Sequence, residues 1–216
     1  MQLIIGNRNY SSWSLRAGLV LRHSGFDFEE TVIPLRTDAS SAAIQRWSAA
    51  GKVPVLVVQD LTIWDSLAIC EFLAERNPSL WPDDEHARAV ARACAAEMHS
   101  GFSGLRGELP MNMRARGAAP QLSAETKADI ARIESLWAEC RARFGGSGDF
   151  LFGQFSIADA MFAPVVSRFT TYNIALGEVA SAYCAAVRSD AAMRAWASLA
   201  EAEVEAIADI DALVSK

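Results

Sequence analysis

Three short stretches hold the side chains best placed to do chemistry. The first is Y-S-S-W-S-L-R, residues 10–16, with three serines in four positions and an arginine close behind. It follows an apolar strand-like run and precedes a helical pattern. A helix start there exposes unpaired backbone N–H groups and the positive end of a dipole. One serine is enough to cap such a helix. Three exceed that need, and loops at the carboxyl ends of strands in an open α/β sheet are where ligands bind. Ser11, Ser12 and Ser14 are therefore candidates for holding an anionic centre.

The second stretch is G-K-V-P-V-L, residues 51–56. Pro54 stands at the first position of a strong strand and cannot donate to a ladder. It is either an edge-strand proline or the second half of a cis bond. A cis Val53–Pro54 bond would free the N–H and C=O of Val53 to pair with an extended peptide. Lys52 is a cation for a carboxylate or a solvated surface lysine. The third stretch is W-D-S-L-A-I-C-E-F-L, residues 64–73. Asp65 and Ser66 open a helix. Ser66 with the helix N–H groups can bind a carboxylate, and Asp65 can accept from an ammonium. The same pair also reads as an ordinary N-cap.

The elements that must position these stretches follow from periodicity. Residues 2–5, 55–58 and 61–64 read as strands, and Phe26, Phe28 and Val32 suggest another. The pair Gln59-Asp60 is short enough for a hairpin. Helical pattern runs over 14–24, stopped by Gly25, and over 65–76, ended by Asn77-Pro78; residues 37–49 permit a short helix. The order β-α-β-(α)-β-β-α requires a crossover to a parallel strand and then an antiparallel hairpin. Beyond Pro78 the chain turns Ala-rich, with helices expected at 86–106, 123–144, 156–171, 178–188 and 191–207. The expected division is an α/β domain over 1–78, a linker over 79–85 and an all-helical domain over 86–216.

Composition narrows the function classes. The chain has 216 residues and a formal net charge of −6, which disfavours non-specific nucleic-acid binding. No apolar run reaches the length of a membrane span. The N-terminus lacks a basic region followed by a long apolar one, so no signal peptide is expected. Cys70, Cys94, Cys140 and Cys184 form no C-x-x-C pair and read as reduced, buried cysteines of a cytoplasmic protein. His23, His86 and His99 do not combine with them at metal-ligand spacing, so no metal is expected.

The three stretches together describe a ligand with an anionic or thiol centre, a peptide-like middle, an α-amino-acid head and a second carboxylate. Glutathione has all four. Along its whole length the chain resembles the cytosolic glutathione S-transferase superfamily. The resemblance is carried by G-K-V-P-V-L, by D-S-L-A-I, and by G-Q-F-S-I-A-D-A at residues 153–160, where Ser156 and Asp159 form an S-x-x-D capping box. It implies a thioredoxin-like N-terminal domain with a mixed four-stranded sheet, followed by a helical C-terminal domain.

The stretch S-S-W-S-L-R is similar to the serine-type classes, closest to zeta and tau, which have a serine five residues before an arginine. Ser11 has that spacing to Arg16. The resemblance implies that Ser11, or Ser12 as its competitor, donates to the glutathione sulfur and favours the thiolate. A hydrogen bond to a charged acceptor supplies roughly 1.5–3 kcal/mol, and the helix dipole about 0.3–1 kcal/mol. A thiol titrating near ~8.5 needs about 1.4 kcal/mol per unit of depression, so these bring it to the neutral range or below. Lys52 resembles the lysine that meets the glycine carboxylate. Val53, beside Pro54, resembles the backbone partner of the cysteinyl part. Asp65 and Ser66 resemble the holders of the γ-glutamyl head. Arg16 is expected to support the site or a dimer contact, and Tyr10 is a lesser rival hydroxyl.

The electrophile pocket is expected between the domains, near Trp13 and a long helix on which His99, Phe102 and Arg106 share a face at i, i+3, i+7. Ordinary helix packing is the competing explanation for those three. Trp13 stands where zeta enzymes have the cysteine of S-S-C-S-W-R, which argues against maleylacetoacetate isomerase activity. Serine where omega and beta classes have cysteine argues against thiol–disulfide exchange. The expected function is conjugation of glutathione, as co-substrate, to small hydrophobic electrophiles, a detoxifying transferase acting as a homodimer. The alternatives are a glutathione-dependent isomerase or peroxidase, and a non-catalytic glutathione-binding or regulatory protein.

Overall fold

A computed structural model describes residues 1–118 and 120–214. Four short strands form one mixed sheet: β1 (Gln2–Ile5), β2 (Glu29–Val32), β3 (Val55–Val58) and β4 (Leu61–Trp64), in the order β2-β1-β3-β4. β1 pairs parallel with β2 and antiparallel with β3, and β3 pairs antiparallel with β4. The central strands are mostly apolar because both faces are covered: Leu3, Ile4, Ile5, Val55 and Leu56 have no exposed surface. α1 (Ser12–Ser24), α2 (Ser40–Gln45) and α3 (Ser66–Ala74) complete this layer. The α1 helix ends where Gly25 turns left-handed, at φ 76°. The second strand is shorter than the aromatic pattern suggested, since Phe26 and Phe28 precede it and pack against the core from the loop.

A 3₁₀ turn at Pro78–Leu80 leads into the helical part: α4 (Glu85–Ser100), α5 (Ser103–Glu108), α6 (Ala124–Phe144), α7 (Ile157–Thr171), α8 (Glu178–Ser189), α9 (Ala191–Ala202) and α10 (Ala208–Val214). α7 is the hub. Nearly every side chain on it is buried, so it is covered all round rather than amphipathic, with Asp159 and Arg168 held inside by hydrogen bonds. α1 packs on α3, α7 and α9, and one continuous hydrophobic core runs from Leu3 in the sheet to Ala200 in α9. The four cysteines are free and buried, with Cys94 and Cys140 sulfurs 3.6 Å apart.

Two helices differ from expectation. The single helix expected over 86–106 is broken. Gly101 is extended, Phe102 is left-handed at φ 60°, and α5 starts afresh at Ser103. A Cβ on Gly101 would stand 2.9 Å from the Glu97 carbonyl, so the chain leaves the helix where it has no side chain. The last helix stops at Ala202 instead of 207. The chain then runs extended before α10.

Candidate functional site

The β1–α1 loop is held from below and from the far end of the chain. Asn7 and Asn9 are buried: the Asn7 carboxamide accepts from the Leu35 N–H, and the Asn9 carboxamide donates to Asn112 and accepts from the Arg114 N–H. Glu203 accepts from the N–H groups of Arg8 (2.7 Å) and Asn9 (3.0 Å). Tyr10, the rival hydroxyl, is fully engaged. Its OH donates to Asp211 (2.8 Å) and accepts from Arg114 (3.0 Å) and the Ile207 N–H (3.2 Å). The segment after α9 thus fastens this loop, a role the sequence did not reveal.

Ser11 is the N-cap of α1. Its Oγ accepts from the Ser14 N–H at 3.3 Å and lies 2.7 Å from Ser14 Oγ. Ser12 opens the helix, is half-buried, and makes no side-chain hydrogen bond among the described residues. Beside them lies a cleft of about 520 Å³. It is lined by Trp13, Ala50, Lys52, Val53, Pro54, Trp64, Asp65, Ser66 and His99. The Val53–Pro54 bond is cis. Neither serine lines the cleft itself. Ser12 adjoins it through Trp13.

The α3 end of the cleft is polar and constrained. Asp65 sits at φ 77° and ψ 131°, a rare conformation for a side-chain-bearing residue. From there its Oδ1 caps α3, accepting from Leu67 N–H (2.9 Å) and Ala68 N–H (3.2 Å). Its other oxygen lies 3.3 Å from His99 Nε2 of α4. Ser66 is 1% exposed, and its Oγ has no partner among the described residues. A buried hydroxyl without a partner is costly unless something outside the chain uses it.

Trp13 joins the cleft to a cationic layer behind it. Its ring meets His99 edge-on at 5.2 Å, with the Arg16 and Arg106 guanidinium carbons 4.4 Å and 5.1 Å from its centre. Arg16 is 1% exposed and donates to the Met161 carbonyl, so it docks α1 on α7 and offers no surface for a dimer contact. Burial, then the neighbouring Arg106 and Arg168, lower its pKa to about 9, and it remains a cation at neutral pH. Of the three residues expected to share a helix face, only His99 reaches the cleft. Arg106 contacts Trp13 from α5 and donates to the Met98 and His99 carbonyls. Phe102, at the helix break, is buried in the core and does not line the cleft. Trp64 and Ala50 line it without having been singled out. Trp64 could have been found as the neighbour of Asp65.

Two family profiles match this chain: "Glutathione S-transferase, N-terminal domain" over residues 10–76 and "Glutathione S-transferase, C-terminal domain" over residues 123–204. The chain belongs to the glutathione S-transferase family. Among its relatives, a protein named probable maleylacetoacetate isomerase from Caenorhabditis elegans is 27% identical over 175 residues, covering 78% of each chain. The maleylacetoacetate isomerase of Rattus norvegicus is 29% identical over the same shares. Two solved glutathione S-transferase structures share the fold. One is a zeta-class bacterial maleyl pyruvate isomerase, with a TM-score of 0.73 and 23% identity, covering 95% of this chain and 100% of that one. The other is a glutathione transferase homolog from Burkholderia with bound glutathione, with a TM-score of 0.71 and 22% identity, covering 94% and 98%.

Proposed function

We propose that this chain is a glutathione-dependent enzyme that activates the thiol with a serine at the start of α1 and directs it at a small electrophile. The observation that carries the reading is the α3 end of the cleft. The Ser66 hydroxyl is buried without a partner beside the Asp65 carboxylate, and Lys52 lines the same cleft. These groups suit a γ-glutamyl head, with Ser66 donating to its carboxylate and Asp65 accepting from its ammonium, and Lys52 a glycine carboxylate. Val53 supplies backbone pairing for the peptide between them. The sulfur then falls at the N-terminal end of α1, where Ser11 or Ser12 donates to it and the dipole favours its negative charge.

In conjugation, the thiolate forms a C–S bond to the electrophile. A leaving group departs with its electron pair, or an enone takes up a proton from solvent. Trp13 would form the apolar wall of the electrophile side, with Arg106 behind it.

A second reading is favoured by the maleylacetoacetate isomerases among the relatives. In it, the thiolate adds to a cis enone, the new single bond rotates, and elimination returns glutathione and the trans isomer. Trp13 in place of the zeta-class cysteine argues against it. A cytoplasmic homodimer belongs to the same proposal. One set of assays separates the readings: glutathione binding by calorimetry, conjugation of a small aryl electrophile, and isomerisation of a cis-enone dicarboxylate. Conjugation above isomerisation supports the transferase, and the reverse supports the isomerase. Binding without either turnover would show a binding protein and refute both.

A further inference from the structure

We propose that Ser14 is a positioning residue: it sets the direction of the Ser11 hydroxyl and strengthens it as a donor to the glutathione sulfur. This rests on the serine-activated reading above. Ser14 has no exposed surface, and its Oγ accepts from the Gly6 N–H at 3.0 Å, just past the end of β1. It lies 2.7 Å from Ser11 Oγ, and the Ser14 N–H also donates to Ser11 Oγ.

Two proton placements satisfy the short contact. If Ser11 donates to Ser14, the Ser14 hydroxyl proton has no acceptor among the described residues and is sealed in the interior. Burial makes such an orphan expensive. If Ser14 donates to Ser11, the fully enclosed Ser14 proton is placed. The Ser11 oxygen then accepts twice, and its own O–H is the one left over. Ser11 keeps 6% exposure where Ser14 has none, so it is the member of the pair nearer the surface.

The second arrangement is the better satisfied, and it forms a chain. The Gly6 peptide N–H donates to Ser14, Ser14 donates to Ser11, and Ser11 is left to donate outward. Hydrogen bonds in series polarise one another, so the last O–H is a stronger donor to an anion than an isolated serine. This accounts for the third hydroxyl of S-S-W-S, which neither capping nor direct sulfur contact requires.

The test is the titration of glutathione bound at saturation, read by thiolate ultraviolet absorbance, in wild type, Ser11→Ala, Ser14→Ala and Ser14→Thr. Ser11→Ala is expected to raise the bound thiol pKa by about 1–2 units. Ser14→Ala should raise it by roughly half a unit, and Ser14→Thr, which keeps a hydroxyl, should restore it. A purely structural Ser14 would lower the unfolding temperature without moving the titration. If Ser14→Ala does not fold, Ser14→Cys replaces it, and a pKa between those of wild type and Ser11→Ala is expected. A Ser14 variant lacking the hydroxyl that titrates like wild type, while Ser11→Ala shifts, overturns the relay and leaves serine activation standing. Glutathione that stays a thiol on the wild type overturns serine activation, and the relay with it.

Discussion

Asp159→Asn tests how the helical domain holds its central helix. Asp159 has no exposed surface and accepts four hydrogen bonds. Oδ2 takes the Ser156 N–H at 2.8 Å and the Ser156 hydroxyl at 3.0 Å. Oδ1 takes the Leu151 N–H and the Tyr183 hydroxyl, each at 3.1 Å. Burial pushes its carboxyl up to about 6, and the four donors keep it ionised at neutral pH. Asparagine keeps the size but turns one acceptor into a donor that faces two other donors. Hydrogen bonds to a charged group are worth about 1.5–3 kcal/mol each, and the buried donors left behind add their own cost. With incomplete additivity, the loss is about 3–5 kcal/mol. At ~2–4 °C per kcal/mol for a chain of this size, unfolding should move down by roughly 10 °C. Circular dichroism melts and urea titrations of the two proteins read this directly. An Asp159→Asn variant melting within a couple of degrees of wild type would refute the capping account.

Three other perturbations have defined outcomes. Asp65→Asn keeps the cap but removes the charge for an ammonium; the glutathione KM should rise roughly 10- to 100-fold, with kcat far less affected in steady-state kinetics. A Cβ on Gly18 would stand 2.1 Å from the Trp196 ring. Gly18→Ala should therefore destabilise the α1–α9 contact by about 1–3 kcal/mol, seen in the thermal midpoint and in tryptophan fluorescence. Glu30 is half-buried, which alone would raise its pKa, but hydrogen bonds from Arg22 and Arg8 outweigh this and hold it below the ordinary 4.5. The folded carboxyl therefore binds its proton at lower pH than the unfolded chain does. Its stabilisation is present above the unfolded value and is lost as pH falls through the folded one. The stability gap between wild type and Glu30→Gln should accordingly be widest near neutral pH and close in acid, as measured by urea unfolding.

Strands were legible where residue type and alternation agree: β1, β3 and β4 lie where the sequence puts them. So was the capping box, since Ser156 and Asp159 are three residues apart. The break at Gly101 was not, because Met98, Phe102 and Leu105 continue a helical spacing and one glycine does not by itself stop a helix. The face shared by His99, Phe102 and Arg106 failed for the same reason. The positive φ of Asp65 is fixed by the cap and by His99, 34 positions away, and no local pattern encodes that pairing. The fastening of the β1–α1 loop by Glu203 and α10 is also long-range. Polar residues spaced through a C-terminal tail look like solvated surface until the fold brings them to Arg8, Asn9 and Tyr10.

The central claim is that a serine at the start of α1 holds a glutathione thiolate. It is tested most directly by titrating glutathione bound to wild type, Ser11→Ala and Ser12→Ala, following thiolate absorbance. The account predicts a thiolate near neutral pH on wild type and its loss in one of the two variants, with Ser11 the expected one. Glutathione that binds all three proteins and remains a thiol throughout would contradict it.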